Sequence, residues 1–372
     1  MTFCIITHVN HGIENEKYFA YAPYVKEMNI WLEYSDKLII VAPLSSRTKT
    51  EIDIDYKFNS IDFRTVKSFN VLSLKNGLIA VLNFPKTLVS IYNAMKDADH
   101  IHLRCPGNMG LLGCIIQMFF PSKPKTAKYA GNWDMNAKQP LSYKIQKWIL
   151  NNTFLTRNIQ VLVYGQWENT SKNIKPFFTA SYSEIEKEPI VERNFENEIR
   201  FMFVGTLSNG KQPLYAVKLI EQLIKFNTKI SLSIFGNGIE KQNVLDYIEE
   251  KKLTNNVFFI GNKPQEEIKK EYQKNHFVIL PSLSEGWPKV VAEGMFWGCL
   301  PIATRVSCVP NMLANEERGL LLELDLDKDV KKINTLLLDF DEYKQKVANA
   351  VEWSRKYTLD SFENEIKKLL NK

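Results

Sequence analysis

The chain alternates short, almost wholly apolar runs with longer segments whose apolar residues recur at helical spacing. Residues 3–8, 37–42, 100–104, 126–130 and 160–164 form one series of strand-length runs, separated by helix-length stretches such as 18–34, 77–95 and 109–120. A polar, acid-rich segment at 183–198, with Pro189 and no sustained apolar period, interrupts the series. A second series follows, with strands expected at 200–204, 229–235, 256–260, 276–280 and 300–303 and helices at 213–226, 239–252 and 265–274. The tail, about 341–371, is helical in pattern. Apolar strands alternating with helices predict βαβ units around parallel sheets. The pattern therefore predicts two α/β domains, 1–182 and 199–352, joined by a linker at 183–198, with a ligand cleft between the C-terminal edges of their sheets.

Composition agrees with that architecture and narrows the setting. A chain of 372 residues, 45% hydrophobic and 24% charged, has the size and balance of a soluble two-domain protein. Its five cysteines, Cys4, Cys105, Cys114, Cys299 and Cys308, have neither zinc-ligand nor redox spacing, so reduced thiols and a cytoplasmic location are expected. The first residues lack the basic start and cleavage site of a signal peptide and read as a first strand. The longest apolar run, 109–120, is interrupted by Gln117 and falls short of the ~20 residues of a membrane span.

Charge is uneven. The first 180 residues hold 21 Lys+Arg against 13 Asp+Glu, which favours anionic partners such as a membrane surface, although a merely solubilising surface has the same composition. Within that half, 138–150 mixes Lys138, Lys144 and Lys147 with Leu141, Tyr143, Ile145, Trp148 and Ile149. It reads either as a basic amphipathic helix resting on an anionic membrane or as a core helix with a solvated lysine face. No nucleic-acid-binding motif appears.

The chemistry concentrates in the second series. Glu285-Gly286-Trp287-Pro288-Lys289-Val290-Val291-Ala292-Glu293-Gly294-Met295 follows a strand and runs from a turn into a helix. With a helix start at Pro288, Glu293 lies ~7.5 Å along the axis and the two carboxylates stand on the order of 10 Å apart. That spacing suits a diphosphate on the helix N-terminus with hydroxyls held on each side. Lys289 and Glu293 share a helix face, as a first-turn cation near phosphates or as an ordinary surface pair. Upstream, Val204-Gly205-Thr206-Leu207-Ser208-Asn209-Gly210-Lys211 is a strand entering a loop with one lysine, suited to a phosphate or to a plain turn. Phe235-Gly236-Asn237-Gly238 and Phe259-Ile260-Gly261 end two further strands in glycine turns that let a ligand approach the backbone. No dinucleotide fingerprint is present there or at His8-Val9-Asn10-His11-Gly12, which excludes the usual oxidoreductase pattern. No D-x-D triad directly follows one of the strands expected above, so no metal and no cofactor are expected.

Taken in order, these loops, together with Leu280-Pro281-Ser282 and Gly298-Cys299-Leu300-Pro301-Ile302-Ala303-Thr304, resemble the C-terminal domain of family 4 retaining glycosyltransferases over residues 199–314. The resemblance implies the GT-B fold: two Rossmann-like domains facing each other across a cleft, an acceptor domain at 1–182 and a nucleotide-sugar domain at 199–352. A C-terminal helix at about 353–372 is expected to pack back on the first. It implies that Glu293 holds the ribose hydroxyls, Glu285 the donor sugar, Lys211 the diphosphate, and the amides around Gly286–Val290 cap it. Gly12, Gly205, Gly236, Gly238 and Gly261 would line the nucleotide-sugar site. Thr206 stands where the family usually has an arginine, and Lys289 or Arg305 is expected to replace that cation. In the first domain, Arg104, His8, His11, Asn132 and Asp134 are the polar groups near expected cleft loops, and Asp134 is the candidate sugar contact, with a helix cap as its competing role. The partners implied are a nucleotide sugar and a glycan acceptor, lipid-linked by resemblance, at the inner face of the plasma membrane. Rival functions are a sugar-nucleotide epimerase and a non-catalytic nucleotide-binding or scaffold member of the family.

Overall fold

The computed structural model describes residues 1–67 and 74–370, the side chains of 74–84 excepted. The chain divides into two compact units, one of Met1–Phe177 with Glu363–Lys372, the other of Phe178–Phe362.

The first unit contains, in order, β1 (Thr2–Ile6), β2 (Gly12–Glu14), β3 (Lys17–Tyr21), α1 (Ala22–Leu32), β4 (Lys37–Ala42), β5 (Asp53–Asp55), β6 (Ile61–Thr65), α2 (Leu74–Asp97), β7 (His100–Cys105), α3 (Asn108–Ile116), β8 (Lys125–Tyr129), α4 (Leu141–Leu150), β9 (Ile159–Tyr164) and β10 (Ile174–Phe177). Seven of these strands make a parallel sheet in the order β10-β9-β8-β7-β1-β4-β6. One face, with Cys4, Ile6, Val41, Leu103, Ala127 and Val161, packs with residues of α2, α3 and α4 such as Ile91, Leu112 and Ile149. Burial on both faces is why β1, β4, β7 and β9 read as near-continuous runs.

The second unit contains β11 (Ile199–Val204), α5 (Pro213–Leu223), β12 (Ile230–Phe235), α6 (Lys241–Glu250), β13 (Val257–Phe259), α7 (Gln265–Lys274), β14 (Phe277–Leu280), α8 (Lys289–Phe296), β15 (Leu300–Thr304), α9 (Val309–Met312), β16 (Leu320–Leu322), α10 (Leu326–Leu337) and α11 (Phe340–Ser354). Its six parallel strands run β13-β12-β11-β14-β15-β16. A last helix, α12 (Leu359–Leu369), starts in this unit and continues into the first from Glu363.

Four expectations change. The stretch 18–34 is not one helix, because Lys17–Tyr21 pairs antiparallel with both Gly12–Glu14 and Asp53–Asp55 in a small separate sheet. Pro23, in the first turn of α1, is pre-set for a helix start at that point. The helix expected at 109–120 ends at Ile116 and tightens into a 3₁₀ turn over Gln117–Phe119. Residues 183–198 belong to the second unit: the Arg193 guanidinium donates to the carbonyls of Gln273, Trp297 and Gly298, and the Gly298 Cα lies against Ile190. The return to the first unit begins at Glu363 rather than near 353, because α11 packs on α8 and Trp353 stacks on Trp287.

Candidate functional site

In the second unit the strand order reverses between β11 and β14, with β12 on one side of β11 and β14 on the other. Loops leaving the C-terminal ends of strands at such a switch point flank the crevice where open α/β sheets take ligands. Two of the expected site residues meet there. The Lys211 ammonium pairs with Glu285 Oε1, and the Leu283 N–H donates to the Gly210 carbonyl at 2.8 Å, so the loops after β11 and β14 are tied twice. The Glu285 carboxylate is only 8% exposed while Lys211 keeps 30%, so the cation has the more open face. The loop carrying Glu285 is also held from behind. The Gly286 carbonyl accepts from Ser307 Oγ at 3.2 Å and from the Cys308 thiol at 3.1 Å, and the Ser282 carbonyl accepts from Thr304 Oγ1. Burial pushes the Cys308 thiol up to about 12, which keeps it a donor.

Three residues beyond Glu285, Pro288 takes the N-cap of α8 and no side chain caps the helix. The first amides, at Lys289 and Val290, are therefore available to an anion at the positive end of the helix. The Val290 side chain packs on the core, so its amide is what it can offer. Lys289 makes no ion pair among the described residues, and the expected surface pair with Glu293 is not formed. Glu293 instead accepts from Ser181 Oγ on one oxygen (2.5 Å) and from the Tyr272 hydroxyl on the other (3.2 Å). Burial first, and then the negative charge of Glu293, raise the Tyr272 phenol well above its usual range, so it stays protonated and donating. Lys289 and Glu293 line one hollow with Ser181, Trp287 and Tyr357. Ser181 and Tyr272 belong to no recognisable motif, and no periodicity points at them.

Two of the glycines make room for neighbouring backbone. A Cβ on Gly236 would lie 1.9 Å from the Gly205 carbonyl oxygen, and one on Gly238 would lie 2.3 Å from that of Leu207. Their amides are also occupied: Gly205 donates to Phe235, Gly236 to Gly261, Gly261 to Ile234 and Gly238 to Asn237 Oδ1. Gly236 and Gly238 are glycine where protein backbone approaches, whereas Gly261 is glycine for its φ of +84°; the hydrogen bonds among these residues interlock three strand-end loops. Thr206 is exposed on the first of those loops, and Arg305 is exposed beyond β15.

In the first unit the corresponding reversal falls between β1 and β7. The Gly107 Cα abuts the His8 ring there, and the Arg104 charge, after desolvation, holds His8 below its ordinary pKa. Arg104 itself is buried against Glu27, whose other oxygen takes Lys128 at 3.0 Å. Three other residues differ from expectation. Gly12 lies in β2, where a Cβ would strike the Phe19 ring at 2.2 Å, so it serves packing. His11 is fully buried, donates from Nδ1 to the Val9 carbonyl and accepts the Tyr56 hydroxyl at Nε2, a core role. Asp134 accepts the Asn136 N–H at 2.9 Å and donates its own N–H to Asn132 Oδ1 at 2.9 Å, while its carbonyl receives the Lys147 ammonium at 2.7 Å. These bonds hold a turn, and the helix-cap role is not filled by Asp134, because α4 begins after Pro140 with no side-chain cap.

Residues 184–353 match the family model for glycosyl transferases group 1. The chain is 28% identical over 182 residues, 48% of its length and 50% of the relative's, to the Campylobacter jejuni GalNAc-alpha-(1->4)-GalNAc-alpha-(1->3)-diNAcBac-PP-undecaprenol alpha-1,4-N-acetyl-D-galactosaminyltransferase. It is 26% identical over 189 residues, 50% of the chain and 51% of the relative, to an uncharacterized glycosyltransferase of Methanocaldococcus jannaschii. The chain thus spans about half the length of the curated relatives it matches. Among solved structures, Anabaena HepE in complex with UDP superimposes with a TM-score of 0.71 at 13% identity, covering 100% of this chain and 99% of that one. Sucrose-phosphate synthase from Thermosynechococcus elongatus gives 0.66 at 15% identity over 100% and 98%. The architecture is the mixed α/β, parallel-sheet GT-B type.

Proposed function

With residues 184–353 placed in the group 1 glycosyl transferases, we propose that the protein is a glycosyltransferase that moves a sugar, with retention, from a nucleotide-diphosphate donor to a glycan acceptor. The observation that carries the proposal is the Lys211–Glu285 pair beside the uncapped start of α8, with Glu293 one turn further on. In this reading the diphosphate sits on the Lys289 and Val290 amides, between the Lys211 and Lys289 ammonium groups. Glu293 accepts the ribose hydroxyls and Glu285 those of the sugar. As the nucleotide diphosphate leaves, negative charge grows where two cations and a helix N-terminus are already in place, so little reorganisation is needed. The acceptor hydroxyl then attacks from the same face, with the leaving phosphate taking its proton. No residue of this site is asked to hold a metal.

The relative named as acting on an undecaprenol-diphosphate saccharide supports a lipid-linked acceptor and a role in surface polysaccharide assembly, such as capsule or lipopolysaccharide, at the inner face of the plasma membrane. The UDP complex of HepE makes uridine the first base to try. A thermal-shift screen of nucleotide sugars tests the proposal. One donor should raise the melting temperature of the chain and leave that of Glu293→Ala unmoved. If no nucleotide diphosphate and no nucleotide sugar shifts the wild-type chain, the donor-binding reading fails.

A further inference from the structure

The first unit exposes an apolar face that no part of the transfer reaction uses. On α4, Leu141, Ile145 and Trp148 are 72%, 38% and 61% exposed. Their spacing of four and three residues places them on one side of the helix. The opposite side buries Gln146, Lys147, Ile149 and Leu150, so the core is already satisfied without the exposed stripe. Both roles read from the sequence change in one respect: Lys147 is buried and Trp148 is exposed, while Lys138 and Lys144 stay on the surface. The face continues beyond α4. Phe154, in the turn that follows, is 72% exposed, and Phe119, after α3, is 67% exposed. Gln117 Nε2 donates to the Leu155 carbonyl at 2.9 Å and so joins those two turns, while the Tyr92 ring of α2 stands against those of Phe119 and Phe120. With α3 packed against both α2 and α4, these exposed residues lie on neighbouring helices and the turns that follow them.

Exposed cations lie on the same segments. Lys86, Lys138, Lys144 and Arg157 are exposed and have no carboxylate partner among the described residues; Arg157 lies 4.9 Å over the Phe154 ring. Asp134 is the only acidic residue between His100 and Trp167, and its carboxylate is engaged in its own turn. Past Phe154 the surface falls into an open groove lined by Thr153, Arg157 and Lys172, and by Lys175, which pairs with Glu365. Apolar side chains with one tryptophan, on segments that carry cations without carboxylate partners and a single acid between His100 and Trp167, match the acyl and headgroup layers of an anionic bilayer. No helix among the described residues is long and apolar enough to cross a membrane. We propose that this α2–α3–α4 face docks the protein peripherally on an anionic phospholipid bilayer, with Trp148 and Phe154 entering the interface and Lys144 and Arg157 meeting lipid phosphates. The proposal stands whether or not the donor reading does.

The test is flotation of the full chain with phosphatidylcholine vesicles, with and without phosphatidylglycerol. The chain should float with the anionic vesicles, weakly with the neutral ones, and less as salt is raised. Trp148→Ser with Phe154→Ser should reduce binding about tenfold or more, and Lys144→Glu with Arg157→Glu should reduce it about fivefold or more per charge reversed. These side chains are exposed, so both variants should melt like the parent, and nucleotide-induced stabilisation should be unchanged. Binding that ignores lipid charge, or survives both variants, overturns the proposal. So does a concentration-dependent dimer in sedimentation velocity that Trp148→Ser abolishes, because the face would then belong to a second copy.

Discussion

At the scale of single residues, the site depends on how two carboxylates are held. Glu285 is shielded and tied to Lys211, whereas Glu293 is held by two hydroxyls that a ribose could replace. Lys211→Ala should lower kcat by about 100-fold or more, since it removes a cation from the growing diphosphate charge. The stability cost should be on the order of 1 kcal/mol, because Lys211 keeps solvent contact. Tyr272→Phe leaves Glu293 in place but frees one oxygen, so KM for the donor should rise a few-fold with kcat little changed. Thr206 is exposed, and an arginine there has room to extend. Thr206→Arg should tighten nucleotide-diphosphate binding by about 1–2 kcal/mol, read by calorimetry; unchanged affinity would mean that Lys289 already fills the cation's place. The two glutamates were legible because a turn and a helix start flank them in sequence. Ser181 and Tyr272 were not, because they reach Glu293 only through tertiary packing across 112 and 21 residues.

At the scale of elements, what the sequence makes visible is burial. Strands covered on both faces, such as Phe277–Leu280, stand out as apolar runs. Short, half-polar Gly12–Glu14 and Asp53–Asp55 gain strand identity only from pairing with Lys17–Tyr21, and local pattern cannot reveal that. The 183–198 segment looks like a linker because it is polar, yet Arg193 pins it through three backbone carbonyls. Glycines after strands look alike in sequence whether a ligand or a neighbouring loop comes close. At Gly236 it is the loop: Gly236→Ala would place a methyl on the Gly205 carbonyl at a φ of +141°. The three loops would have to part, so urea unfolding should show a loss of 2 kcal/mol or more, an approximate figure for strain plus overpacking. A methyl on Gly210 would meet nothing within 4 Å, and Gly210→Ala should cost well under half of that. Equal costs at the two sites would remove the argument for interlocking.

At the scale of the whole molecule, buried histidines are distributed unequally between the two units. Burial lowers His11 and His100 to about 4, the latter with help from Lys125, and lowers His102 well below 6.5. All three belong to the first unit, while His276, lowered to about 4 mainly by burial, belongs to the second. Each folded pKa lies below the unfolded value of 6.5, so protonation favours the unfolded chain. The stability these groups contribute is complete above pH 6.5 and is lost as pH falls toward 4. Carboxylates lowered by hydrogen-bonding partners, such as Glu198 beside Ser231 and Arg200 and Glu365 beside Lys175, start from 4.5 and add to the loss only below it. The interval between pH 6.5 and 4.5 therefore belongs to the histidines, with a loss of about 2 kcal/mol for each isolated site by its lower end. His100 and His102 share the Thr126 hydroxyl, so their losses do not simply add. Because three of the four sit in one unit, acidification should separate what melts together at neutral pH. Scanning calorimetry between pH 7 and 4.5 should show a low-temperature transition moving down ahead of a second one, and His102→Gln should reduce the pH dependence of the first alone. A single transition that shifts equally in parent and variant would show that the units unfold as one and that these histidines do not set the acid limit.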